Sequence, residues 1–459
     1  MPACRFLTDN AADVALPITP VQSERLPALL EALPARAAGW VRSVGFVATP
    51  GSHCLLPGDG GLAGVLLGTG AEPVWDWASL PDKLPPATYR IDPSPGTDEA
   101  DAAALGWALA TYRFHRYREA HTDFATLAWP AQTRRAAVER TARAVFLVRD
   151  LITTPASDMG PEELTNAVTA VAQPFGASCT VIGGDDLLER NYPAIHAVGR
   201  ASSRAPRLVD LRWGDPGAPK VTLCGKGVCF DTGGLDLKPA SAMKLMKKDM
   251  GGAAILLGLA QMIMDAALPV RLRLLVPAVE NSVAGNALRP LDVVRTRSGL
   301  TVEIGNTDAE GRVILADALA EAAGEQPDML IDCATLTGAA RIALGTEVPA
   351  LFCNDEALAG ELLAAGRAAG DPLWRLPLWQ PYRRHVLGKT ADLNNATDHP
   401  FAGAITAALF LAEFVRPACP WAHLDTMAWN LDSRPGRPEG GEAMGLRALF
   451  AALAGRFGG

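Results

Sequence analysis

Two short stretches of this chain carry the residue types of a hydrolytic metal site. The first reads Gly225-Lys226-Gly227-Val228-Cys229-Phe230-Asp231-Thr232-Gly233-Gly234, passes Lys238, and continues at Met246-Lys247-Lys248-Asp249-Met250-Gly251-Gly252. The second reads Asn306-Thr307-Asp308-Ala309-Glu310-Gly311-Arg312. Asp231, Asp249, Asp308 and Glu310 are hard oxygen donors that suit Mg2+ or Mn2+, and Zn2+ also accepts them. Each has a plainer alternative. Asp249 could cap a helix, Asp308 and Glu310 could serve a helix dipole, and Asp231 could be an ordinary turn residue. Four carboxylates on three turns weigh together for a two-metal site. Lys226 lies between glycines and can reach inward. Beside two dications its ammonium is disfavoured, and a neutral amine can bind metal. Lys247 and Lys248 are expected on a solvated approach to the next helix. Gly225, Gly227, Gly233, Gly234, Gly251 and Gly252 allow positive φ and close approach to a ligand.

Other chemistries are excluded by pattern. Phe230 stands where a G-x-G-x-x-G phosphate loop needs its third glycine, and no G-x-x-x-x-G-K-[ST] occurs. None of the seven histidines is followed by glutamate, so there is no H-E-x-x-H, and there is no G-x-S-x-G. The eight cysteines show no C-x-x-C and read as buried free thiols in a reducing cytosol.

These residues must be held by elements, and the second half alternates strands and helices. Leu208–Trp213, Val221–Cys224, Leu272–Val276 and Met329–Cys333 are strand-like, with helices at about 250–264 and 312–323. Continuous apolar strands separated by helices predict a largely parallel, buried sheet. Lys226 and Asp231 follow the strand ending at Cys224, and Glu310 follows that of Thr301–Ile304. In open α/β sheets ligands bind beyond the carboxyl ends of strands, so the two clusters are expected to converge. Nearer the start, apolar runs such as Ser43–Ala48 and Gly64–Gly68 alternate with turns. A helix is expected from Asp98 to Tyr117, capped by Thr97 or Asp98, and another from Thr133 to Asp150 as an exposed connector. The 459 residues predict two α/β domains, 1–150 with the connecting helix and 151–459 with the site. The net charge of -8 argues against a nucleic-acid surface. The apolar stretch near Ala253–Met264 is too short to span a bilayer, and no leader precedes it. A cytoplasmic location is expected.

From about Asp150 onward the chain resembles the leucyl aminopeptidases, the cytosol aminopeptidase family. The Asn306–Arg312 stretch looks like that family's signature, with Val313 at a position usually leucine. Gly225–Gly234 and Met246–Ala254 match its other metal-binding segments in order and spacing. The resemblance implies two α/β domains, the C-terminal one with a central, largely parallel sheet flanked by helices. It implies two divalent metal ions, Mn2+ or Zn2+, held by Lys226, Asp231, Asp249, Asp308 and Glu310, with Asp231 and Glu310 bridging. Lys238 would polarise the scissile carbonyl, and Arg312 would hold a bicarbonate that serves as general base. Met246, Thr335 and Gly338 would line the pocket for the first side chain. Implied too are peptide substrates with a free N-terminus, a leucine-type preference and a homohexamer. One departure is visible: the family's His-Leu-Asp-Ile-Ala-Gly is here His423-Leu424-Asp425-Thr426-Met427-Ala428, at the border of that pocket.

Overall fold

The computed structural model describes residues 3–9, 15–119, 123–416 and 418–458. The chain divides into two compact units, Met1–Phe146 with Asp432–Glu439, and Leu147–Leu431 with Gly440–Gly459.

The first unit is built on a six-stranded sheet. Its order is Leu7–Thr8, Thr126–Ala128, Thr88–Ile91, Leu16–Val21, Leu62–Gly68, His53–Pro57. All neighbours are parallel except the last pair. Trp77, Tyr89 and Trp107 fill its core, and Trp107 Nε1 donates to the Ala125 carbonyl at 3.0 Å, so the large ring is buried without an orphaned polar atom. The expected helix after the prolines runs Thr97–Ala110. Its N-cap is Gly96 rather than Thr97 or Asp98, and Asp98 and Glu99 instead lie in the first turn, where the helix dipole favours them. It stops short of Tyr117 because Arg113 Nη1 turns back onto the Ala110 and Tyr112 carbonyls while Nη2 pairs with Asp82. Gly64–Gly68 lies within a strand, whereas Ser43–Ala48 closes the helix Ala35–Ser43 and runs on as a loop with Val44 and Val47 exposed.

The second unit carries a nine-stranded mixed sheet. Its central run, Trp421–Asp425, Met329–Ala334, Lys220–Gly225 and Arg271–Asn281, is parallel throughout, and antiparallel strands flank it on both sides. These central strands are buried on both faces, hence their unbroken apolar sequence. The helices Gly251–Asp265 and Glu310–Gly324 are almost wholly buried as well. Gly252 shows how closely the first of them is seated. A Cβ there would stand 1.9 Å from the Cys333 carbonyl oxygen, so no larger residue fits. The long helix Arg135–Thr153 spans the point where the units divide. Its expected solvated Arg/Glu face does not extend to Arg149, which is fully buried and paired with Glu442 at 2.9 Å.

Candidate metal centre

Parallel strands that end at one edge bring the distant segments together. Lys220–Gly225 delivers Lys226, Met329–Ala334 delivers Thr335, and Trp421–Asp425 delivers the segment Thr426-Met427. In register, Gly225 faces Cys333 and Ala334 faces Asp425, and Lys226 N donates to the Cys333 carbonyl at 3.0 Å. Gly227–Asp231 pairs beside Arg271–Asn281 and ends on Asp231. The Asn306–Arg312 turn, whose last residues open the helix Glu310–Gly324, supplies the remaining carboxylates.

The seven residues singled out for metal binding and catalysis meet here. One carboxylate oxygen each from Asp231, Asp308 and Glu310 lie within 4.8 Å of one another. Lys226 Nζ stands 2.7 Å from Asp249 and 3.0 Å from Glu310, linking the fourth carboxylate to the group. Lys238 Nζ stands 2.9 Å from Asp231 and 2.5 Å from Asp308. Hydrogen bonds aim the carboxylates. Asp231 Oδ1 accepts from Gly233 N and Asn281 Nδ2, both at 2.8 Å, and Thr335 Oγ1 donates to Asp249 Oδ1 at 2.7 Å. Asp249 therefore does not cap the helix that follows, whose N-cap is Met250. The turn around Asp308 is held from outside: Asn395 Oδ1 accepts from Gly305 N and Asn306 N, and its Nδ2 donates to the Asn306 and Ala309 carbonyls. Asn281 and Asn395 escape sequence reading because each acts across a long stretch of chain. The Asn394-Asn395 pair, at the end of the short strand Leu393–Asn394, is the one local signal.

Charge is crowded and incompletely answered. Burial first, and then the Asp231 carboxylate, push Asp308 up to about 6 and Glu310 well above its ordinary range. The opposite holds for Lys226: burial works against its ammonium, but Asp249, Glu310 and Asp231 outweigh it and hold it above the usual lysine range. Asp249 Oδ2, Asp308 Oδ1 and both Glu310 oxygens are buried, and no backbone or neutral side-chain donor reaches them, only the lysine ammonium groups. Buried oxygens that lack donors are what a cation would satisfy. The donor set is all oxygen apart from one amine, and it fits divalent ions of the Mn2+ or Zn2+ kind.

Arg312 forms another part of the wall. Its Nη1 donates to the Asn395 carbonyl at 2.7 Å, while Nε is buried without a partner and burial lowers its pKa to about 10. A cleft of about 580 Å3 joins these groups to Met246, Thr335 and Gly338. Lys247 and Lys248 overturn the expectation of a solvated approach. Lys247 is part-buried, donates to the Thr153 carbonyl at 2.6 Å and lies over the Trp429 ring, and Lys248 is 5% exposed and lines the same cleft. Both follow from the 3-10 turn Met246–Met250, which packs against the strand Gly227–Asp231. Of the six glycines near the site, Gly233 and Gly234 take positive φ, and the other four serve close packing.

Residues 146–450 match the family model described as the cytosol aminopeptidase family, catalytic domain, and residues 16–130 match the M17 aminopeptidase N-terminal domain. A probable cytosol aminopeptidase of Roseiflexus castenholzii is 43% identical over 378 residues, which cover 78% of this chain and 77% of that protein. A peptidase B of Pectobacterium carotovorum is 40% identical over 382 residues, covering 80% of this chain and 87% of the relative. Among solved structures, the cytosol aminopeptidase of Coxiella burnetii superposes with a TM-score of 0.95 at 51% identity, covering 98% of this chain and 99% of that one. The bottromycin maturation enzyme BotP in complex with Mn superposes with a TM-score of 0.86 at 35% identity, covering 96% and 99%.

Proposed function

The chain belongs to the cytosol aminopeptidase family and is a metal-dependent aminopeptidase, and on that footing we propose which of its residues perform the hydrolysis. The single observation that carries the assignment is the cluster of four carboxylates in which Asp249 Oδ2, Asp308 Oδ1 and both Glu310 oxygens are buried and meet no donor beyond the lysine ammonium groups. Asp231, Asp308 and Glu310 would hold one divalent ion, and Lys226, Asp231, Asp249 and Glu310 a second. Bound there, the ions supply Lewis acidity toward the peptide carbonyl and lower the pKa of water.

The chain's own groups do the rest. Asn281 and Thr335 fix the carboxylates in place, so that little reorganisation accompanies binding. Lys238, at the rim of the cluster and pinned between Asp231 and Asp308, is placed to donate to the oxygen that gains charge as the carbonyl is attacked. Arg312 offers its unpaired Nε to a small anion, and bicarbonate fits that role as the group that accepts the proton of the attacking water. Met246, Thr335 and Gly338 line the cleft that would receive the first side chain. The substrates are peptides with a free N-terminus, a leucine-type first residue being accommodated by the apolar part of that cleft.

A homohexamer in the cytoplasm completes the reading, carried by the family resemblance. Among the described residues no helix is long and apolar enough to cross a membrane. The test is Asp231→Ala. It is expected to abolish hydrolysis of leucine p-nitroanilide and to lower bound metal measured by mass spectrometry. Full activity with unchanged metal content would remove Asp231 from the site.

A further inference from the structure

One residue outside the chemistry grips the metal-binding turn on both sides of its carboxylates. Asn395 follows the short strand Leu393–Asn394, which pairs in parallel with Thr301–Glu303 so that Glu303 faces Asn394. Its backbone N donates to the Glu303 carbonyl at 3.0 Å, and this register sets its side chain against the turn that leaves the neighbouring strand. Asn395 is 1% exposed, and every polar atom it has is engaged. Oδ1 accepts from Gly305 N at 2.8 Å and Asn306 N at 3.2 Å, and Nδ2 donates to the Asn306 carbonyl at 2.8 Å and the Ala309 carbonyl at 3.2 Å. Only asparagine meets this demand at this length. Two N–H groups face its oxygen and two carbonyls face its nitrogen, and an aspartate carboxylate has no donor for the second pair. The Asn395 carbonyl in turn accepts from Arg312 Nη1 at 2.7 Å. In chain order these contacts fall before Asp308, between Asp308 and Glu310, and after Glu310.

We propose that Asn395 is a positioning residue for the hydrolysis, tying the Asp308 and Glu310 ligand pair and the Arg312 guanidinium into one rigid unit. Its side chain acts on the metal ligands. Asn306 Oδ1 accepts from Asp308 N at 2.7 Å, so a clamp on the Asn306 backbone also fixes the approach of Asp308. Its main chain acts on the arginine. With Nη1 held on the Asn395 carbonyl, the planar guanidinium keeps one tilt, and the unpartnered Nε keeps one direction. Loss of the amide loosens the turn and frees the carbonyl in one event, so metal affinity and anion response change together. The inference rests on the roles given above to Asp308, Glu310 and Arg312.

The test uses Asn395→Ala and the near-isosteric Asn395→Asp, with Asp392→Ala as the control for packing of the same segment. Asp392 Oδ2 accepts from Thr301 N at 2.8 Å and Thr301 Oγ1 at 2.7 Å, and Asp392 lies outside the residues that line the cleft. Mn2+ binding to the metal-free proteins is measured by calorimetry. For the Mn2+-loaded proteins, kcat and KM on leucine p-nitroanilide are followed against bicarbonate added to bicarbonate-free buffer, and thermal midpoints are recorded. Both Asn395 variants are expected to bind Mn2+ on the order of 10–100-fold more weakly, the scale seen for groups that orient metal ligands. In the same variants the bicarbonate concentration that gives half-maximal kcat should rise severalfold, with KM little changed. Asp392→Ala should lower the thermal midpoint and leave Mn2+ affinity and bicarbonate response as in the wild type. If Asn395→Ala does not fold, Asn395→Asp decides alone. Wild-type Mn2+ affinity in the Asn395 variants overturns the inference, and so does a weakened metal site with an unchanged bicarbonate response. Equal losses in Asp392→Ala also overturn it, since Asn395 would then only pack the loop. A wild-type protein that binds no Mn2+, or whose kcat ignores bicarbonate, overturns the role given to the carboxylates or to Arg312, and the inference with it.

Discussion

Gly311 has no side chain because Lys226 occupies the space. A Cβ at that position would lie 2.4 Å from Lys226 Cε and 2.6 Å from Nζ. The glycine of the Glu310-Gly311-Arg312 triplet is therefore a steric permission that lets one lysine cross the helix start and reach two carboxylates. Gly311→Ala is expected to displace Lys226, reduce bound metal and cut kcat/KM on the order of 10²-fold, as misplacements of about 1 Å do in other active sites. Normal metal content and activity in that variant would show that Lys226 has room to spare. The other lysine should behave differently. Lys238→Ala should lower kcat on the order of 10²–10³-fold with little change in KM, because a donor to a developing oxyanion acts in the transition state. Its metal content should remain unchanged, while Lys226→Ala should lose metal and regain part of its activity in excess metal. Measuring kcat, KM and bound metal for both variants checks the division, and the reverse pattern would exchange the two roles. At this scale the sequence was legible wherever residue type alone declares chemistry, as with Asp231 and Glu310. It misled on Lys247 and Lys248, expected on a solvated approach, because nothing in Met246–Met250 announces that a 3-10 turn buries the third residue and leaves the second against Trp429.

Between the strands, one buried pair makes the sheet itself pH-sensitive. Asp332 and His423 face each other in register on neighbouring parallel strands, 2.5 Å apart, and Asp332 also accepts from Trp421 Nε1 at 2.7 Å. Burial alone would push His423 down. The carboxylate at its Nδ1 outweighs burial and holds its pKa above the ordinary 6.5. A histidine whose folded pKa is raised binds its proton more tightly when folded. Its contribution is complete below 6.5 and is lost as pH rises through the higher folded value. Denaturant midpoints should therefore fall as the pH rises above about 6.5. Asp332→Asn should abolish this part of the slope and cost about 3–5 kcal/mol near pH 6, the usual effect of breaking a buried pair. An unchanged slope in the variant would locate the titration elsewhere. The strands themselves were plain in the sequence, since burial on both faces leaves unbroken apolar runs such as Val221–Cys224. Helix ends were less plain. Arg113 stops one helix by turning back onto its last carbonyls, a contact that depends on the distant Asp82 as well as on local spacing.

Across the whole molecule, the two units each carry a mixed or parallel sheet, and the site residues all fall within the second. The first unit offers no chemical motif in its sequence, and its membership became visible through the match of residues 16–130 to the family's N-terminal domain. Light scattering on the purified protein is expected to give six times the 48.2 kDa chain mass, and a mass near one chain would contradict the proposed hexamer. The central claim is that this chain removes residues from free N-termini at a metal centre built from Lys226, Asp231, Asp249, Asp308 and Glu310. A direct measurement compares Mn2+-reconstituted hydrolysis of one leucyl peptide with its N-acetylated twin, each with and without a chelator. The account predicts rapid release of leucine from the free peptide, no turnover of the acetylated one, and loss of activity in chelator that added metal restores. Comparable rates on both peptides, or full activity in chelator, would contradict it.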